Sequence, residues 1–149
     1  MPAPVWWMLC LPFVAGAFLP LQAGINGQLA KHVSSVLAAA MISFAVGTLA
    51  LLLLVMAQRE VPGLNALKSL TWWHWSGGLL GAFFITTAAF AGPRIGALLF
   101  MALVLAGQLA MALALDHFGW AGFRETPISL GKVAGLVLIL AGVFLIRRG

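Results

Sequence analysis

Apolar residues fill five long blocks of this chain, at positions 5–30, 36–57, 73–91, 96–115 and 130–146, and short polar connections separate them. No block interior holds an Asp, Glu or Arg, and Lys132 stands at the start of the fifth block. A helix needs about 20 apolar residues to cross the hydrocarbon core of a bilayer, whereas a spanning strand needs about ten and alternates polar with apolar. The blocks do not alternate, so the pattern predicts five transmembrane helices and excludes a β-barrel. One all-α integral membrane domain over residues 1–149 is expected, because no connection is long enough to mark a second domain. The opening block has no basic residue before it and is too long for a secretory signal, so it reads as the first mature helix.

The connections are residues 31–35, 58–72, 92–94 and 116–129. The second carries Arg59, Glu60, Pro62, Gly63 and Lys68, the third is Gly92-Pro93-Arg94, and the fourth carries Asp116, His117, Arg124, Glu125 and Pro127. All three acidic residues therefore fall in connections. Trp6 and Trp7 open the first block, Trp72, Trp73 and Trp75 the third, and Trp120 lies in the last connection. Indole favours the headgroup region, so these residues mark one membrane interface.

Composition agrees with this reading. Hydrophobic residues make up 63% of the chain and charged residues 7%, against about 25% charged in a soluble globule. Lipid must therefore be a partner. The net charge of +5 comes from basic residues scattered singly at block ends. That pattern anchors helices at headgroups and argues against a nucleic-acid partner. Cys10 is alone, which rules out an intramolecular disulfide. His32, His74 and His117 fall in different connections or at an interface. No metal site, cofactor or catalytic constellation is expected, and the chain is not read as an enzyme.

Charge then bears on topology. The N-terminal side, side A, receives Arg59, Lys68, Arg124 and Lys132, and side B receives Lys31, Arg94, Arg147 and Arg148. The count is four against four. Orientation is normally set by an excess of Lys and Arg on the cytoplasmic side, and a tie removes that instruction. The expectation is a chain that inserts both ways and pairs with an inverted copy of itself. Such an antiparallel homodimer is the arrangement that larger transporters build by fusing inverted repeats.

The candidate chemistry is amide chemistry. Gln22 and Asn26 are four residues apart and share a helix face, one turn beyond Pro20, which frees the carbonyl of Gly16. Amides at membrane depth must be satisfied by another helix or by water, so this strip is either helix–helix glue or a crevice that holds solute. Gln28 points roughly opposite and lies near the helix end. Gln108 is the strong polar group of the fourth block, and it reaches a matching depth once a partner is inverted. Ser43, Thr48, Thr86 and Thr87 are weaker candidates, since hydroxyls in membrane helices usually bond to their own backbone. Arg94 is either a headgroup anchor or an anion attractor at the crevice mouth. Glycines four apart, such as Gly77 and Gly81, Gly92 and Gly96, or Gly131 and Gly135, permit close helix approach. The substrate-binding set is thus Gln22, Asn26, Gln108, Ser43, Thr86 and Arg94.

The runs PLQAGINGQLA, AAAMISFAVGTLALL, GGLLGAFF, AGPRIGALLF, AGQLAMALALDHFGW and GLVLILAGVFLI resemble the YdcZ-type family of the drug/metabolite transporter superfamily, over about residues 12–146. The closing AGVFLI is also similar to the last helix of small multidrug resistance exporters. The resemblance implies a small five-helix protein of the bacterial inner membrane. It also implies dual-topology single genes, oppositely oriented pairs or fused repeats among the relatives. One departure matters. Those small exporters carry a membrane-embedded glutamate on the first helix that binds proton and cation, and here that helix offers only neutral Gln22 and Asn26.

The leading expectation is a secondary transporter for a small polar or amphipathic solute. The alternatives are a dual-topology channel for a small ion and a membrane subunit with no transport role of its own.

Overall fold

The computed structural model describes Trp6–Gly149, with side chains from Cys10 onward. It contains α1 (Trp6–His32), α2 (Val36–Gln58), α3 (Leu64–Lys68), α4 (Trp72–Ile95), α5 (Ala97–Phe118), a 3-10 turn at Trp120–Gly122 and α6 (Leu130–Arg148). Among the described residues there is no strand. Five of the helices are long and apolar enough to cross a membrane: α1 (from Cys10), α2, α4, α5 and α6. The chain forms two compact units, one ending at Arg94 and the other Ile95–Gly149.

The first unit packs small residues inward. On α1 the buried positions are Ala23, Asn26, Gly27 and Ala30, one face at helical spacing. On α2 they are Ala39 and Ala40, and on α4 Ala88, Ala89 and Gly92. Large side chains such as Phe13, Leu37, Leu51 and Phe83 are exposed instead. This arrangement inverts a soluble core. In lipid there is no hydrophobic gain from burying Leu against Leu, and close backbone approach through small residues supplies van der Waals contact instead.

Gly27 is the tightest of these contacts. A Cβ at that position would lie 2.5 Å from Pro93 Cγ and 3.7 Å from the Ala89 carbonyl oxygen. Pro93 has no N–H to give that carbonyl, so the α4 backbone is open where Gly27 meets it. Gly27→Ala is expected to destabilise the protein by about 1–3 kcal/mol through overpacking. Pro93→Ala in the same chain removes the colliding Cγ and should recover most of the loss. Thermal melting in detergent checks both, and an unchanged melt for Gly27→Ala alone would sink this account of the packing.

In the second unit α5 packs on α6, with Phe100 and Ala106 buried. Ser129 caps α6, its side chain accepting from the Lys132 N–H. Lys132 Nζ donates to Thr126 Oγ1 at 2.9 Å, to the Pro127 carbonyl at 3.3 Å and to the Thr126 carbonyl at 3.4 Å. It also pairs with Asp116 Oδ2 at 3.8 Å. Thr126 in turn donates its N–H to the Asp116 carbonyl at 2.7 Å. The basic residue at the start of α6 thereby ties down the connection after α5. His117 Nδ1 is buried without a hydrogen-bond partner.

Helix ends differ from the expected boundaries. The first helix continues through Lys31 to His32, the fourth block's helix runs through Asp116 and His117 to Phe118, and α3 forms inside the 58–72 connection. Gly92-Pro93-Arg94 is not a loop: α4 runs through it to Ile95. The break comes at Gly96, with φ 86° and ψ 148°, a conformation closed to residues with a side chain. Lys31, Arg94 and Asp116, expected in connections, thus stand in the last turns of their helices. There the charged groups can still reach the interface, and the two basic ones complement the helix dipole. Val5 and the side chains of Trp6 and Trp7 lie outside the described residues.

Candidate functional site

Two cavities of the first unit gather most of the polar candidates. The first, of about 430 Å³, opens along α1 and α2 and is lined by Gln22, Asn26 and Ser43 with Ala15, Phe18, Leu19, Leu21 and Ile25. Gln22 and Asn26 arrive together because they are one helical turn apart on α1. Ser43 comes from the half-buried face of α2, one turn beyond buried Ala39 and Ala40. Asn26 is 3% exposed, and its Nδ2 is buried without a hydrogen-bond partner. A buried amide N–H left unmade costs about 1–3 kcal/mol. The Asn26 side chain thus lines this cavity while its Nδ2 has no partner within the subunit.

The lining is mixed in character. Aliphatic and aromatic walls surround two amides and a hydroxyl, and neutral amides both donate and accept. Such a site suits a small solute with several polar groups and some apolar surface. No carboxylate lines it.

The second cavity, of about 420 Å³, lies where α1 ends, α2 begins and α4 ends. It is lined by Lys31, Ser34, Ser35 and Arg94 together with Gly27, Ala30, Val36, Ala89 and Pro93. Arg94 Nη1 donates to the Phe90 carbonyl, and the guanidinium lies 3.9 Å from the centroid of the Phe90 ring. Ser35 caps α2, accepting from the Ala38 N–H at 3.2 Å.

The remaining candidates are dispersed. Thr86 is half-buried on α4 and lines neither of these cavities. Gln108 is exposed on α5, in the second unit. Arg94 belongs to the second cavity, apart from the amides. Lys31, Ser34 and Ser35 were not among the sequence candidates. The signal for them was present, since Lys31 and Arg94 were both assigned to side B, but no periodicity says that two helix ends on one side are neighbours.

No solved structure matches the chain. The "Inner membrane protein YdcZ" of Escherichia coli (strain K12) is 27% identical over 141 residues, which cover 94% of this chain and 94% of that protein. A family model described as "Putative inner membrane exporter, YdcZ" matches residues 7–145. That description names a membrane exporter and not an enzyme. With its five membrane-capable helices and this match over most of its length, the chain is a multi-pass inner-membrane protein and belongs to the YdcZ family.

Proposed function

We propose that the chain is a secondary transporter for a small polar or amphipathic solute and works as a dual-topology antiparallel homodimer. The observation that carries this reading is Asn26: a buried amide with an unpartnered donor, lining an open cavity with Gln22 and Ser43. Structural glue would be expected to find a partner. The family description as an exporter supports the same reading.

Depth supports the pairing. Gln22 lies ten residues before His32, the last residue of α1, and Gln108 lies ten before Phe118, the last of α5. At 1.5 Å per residue both amides are about 15 Å from those helix ends. Counted by the order of the five spans in the sequence, those ends fall on opposite sides of the membrane. Inverting one copy brings its Gln108 to the level of the other's Gln22 and Asn26, so the solute would be held between subunits. Thr86 takes a secondary place in this scheme, on the half-buried face of α4.

The chain is not proposed to couple transport to a proton on an intramembrane carboxylate. Among the spanning helices the one acid is Asp116, in the last turn of α5 and paired with Lys132. Proteoliposomes test the reading. Solutes that raise the melting temperature in detergent should exchange across the bilayer with saturation. Electrical conductance far above carrier turnover would instead assign a channel, and no flux of any stabilising solute would leave a subunit without a transport role.

A further inference from the structure

The end of the first unit where α1 finishes, α2 starts and α4 finishes carries two cations in one cavity. Lys31 and Arg94 both line it, with Ser34 and Ser35. Among the described residues neither cation pairs with a carboxylate; the one ion pair is Lys132 with Asp116, in the other unit. The three acids of the chain are Glu60, Asp116 and Glu125, and none falls in the α1–α2 turn or at the α4–α5 junction. Two like charges beside one cavity repel, and an anion between them relieves that repulsion.

The donor inventory fits an oxyanion. Lys31 has three N–H donors, and Arg94 keeps four of its five after the bond to Phe90. Ser35 Oγ accepts from the Ala38 N–H and retains its own O–H to donate, and Ser34 adds a second hydroxyl. No carboxylate competes for these donors in the lining. The volume of about 420 Å³ is within the ordinary range of small-ligand pockets, roughly 300–1,000 Å³. The cavity sits at the ends of membrane-capable helices, and basic pockets between membrane helices are suited to the phosphate groups of lipids.

We propose that this cavity binds a phosphate-class oxyanion through Lys31, Arg94 and the hydroxyls of Ser34 and Ser35. The site stands on the lining residues alone and does not need the transport reading. If the antiparallel dimer also holds, each face of the membrane presents one such site. An anionic group would then be received at the mouth on either side, one to two helical turns from Asn26.

The test uses the full chain, delipidated in a neutral maltoside detergent. Melting is followed against inorganic phosphate, with sodium chloride at matched ionic strength as control, and separately against added phosphatidylglycerol, with phosphatidylcholine as control. Saturable stabilisation by phosphate assigns the site to a soluble oxyanion, and stabilisation by phosphatidylglycerol alone assigns it to a lipid headgroup. In either case Lys31→Gln and Arg94→Gln should each raise the apparent Kd about tenfold, the effect of losing one charge-assisted contact. Lys31→Arg should keep the response, and Arg147→Gln, a basic residue elsewhere, should leave it unchanged. If one of the two charge-removing variants does not fold, the other carries the test. Stabilisation by neither compound, or a response undiminished in both single variants, overturns the proposal. Flux through the amide crevice is measured separately with Asn26 variants, so failure of this site and failure of the transport reading are told apart.

Discussion

Replacing Asn26 by leucine should cut transport at least about tenfold while the protein keeps or gains stability. The two side chains have the same number of heavy atoms and the same branching, so the packing of α1 changes little. What changes is the donor. Asn26 Nδ2 is buried without a partner, and removing an unsatisfied buried group relieves a cost of about 1–3 kcal/mol. Leucine at this position should therefore melt at the same temperature as the natural chain or higher. Flux of a solute chosen for its stabilising effect should fall at least about tenfold, because a hydrogen bond to that solute is lost and its polar group is left facing hydrocarbon. Gln22→Leu should act in the same direction with a smaller gain in stability, since Gln22 is already exposed. Crosslinking should find the dimer intact in both variants. The opposite pattern, a lower melting temperature with normal flux through whatever dimer survives, would make these amides helix glue and leave the fold as the surviving conclusion.

Much of this site was legible before the fold. Gln22 and Asn26 share a face because helices repeat every 3.6 residues, and no tertiary information is needed to say so. Ser43 was harder. α2 is apolar on every side, so periodicity could not tell which face meets α1, and only the packing of Ala39 and Ala40 sets it. Thr86 looks equivalent to Ser43 in sequence but does not line the cavity that Ser43 lines. The Gly27–Pro93 contact was hidden for a different reason. The chain has 17 glycines, and spacing alone singled out pairs along one helix rather than the pair of residues that meet between helices.

The misplaced helix ends share one cause. Charged residues and a Gly-Pro step were read as the start of a loop. A helix leaves four carbonyls unsatisfied at its end whatever residues stand there, so a last turn tolerates basic side chains, and α4 carries Pro93 with the Ala89 carbonyl left without its helical donor. The residue that does stop α4 is Gly96, and its backbone angles, not its neighbours, are the reason.

Adding two or three lysines to the 58–72 connection should fix one orientation and abolish flux, though the variant folds and inserts. The natural chain carries Arg59, Lys68, Arg124 and Lys132 on one side and Lys31, Arg94, Arg147 and Arg148 on the other. Orientation responds to the difference in Lys and Arg between sides and is not a net-charge effect, so the Lys132–Asp116 pair does not alter the count. A bias of two or three charges is large against a tie. Every copy would then present the 58–72 connection to the cytoplasm, and no inverted partner would exist to bring Gln108 opposite Gln22 and Asn26. A second variant with the same lysines added after Arg148 should fix the opposite orientation and fail alike. Co-expression of the two should restore flux, because each supplies the inverted partner that the other lacks. Labelling of a single cysteine in the 58–72 connection, in a background without Cys10, reports orientation independently of activity. Labelling of the natural chain from one side only would remove dual topology. Full flux from either biased variant alone would remove the antiparallel dimer and leave the subunit itself as the transporting unit.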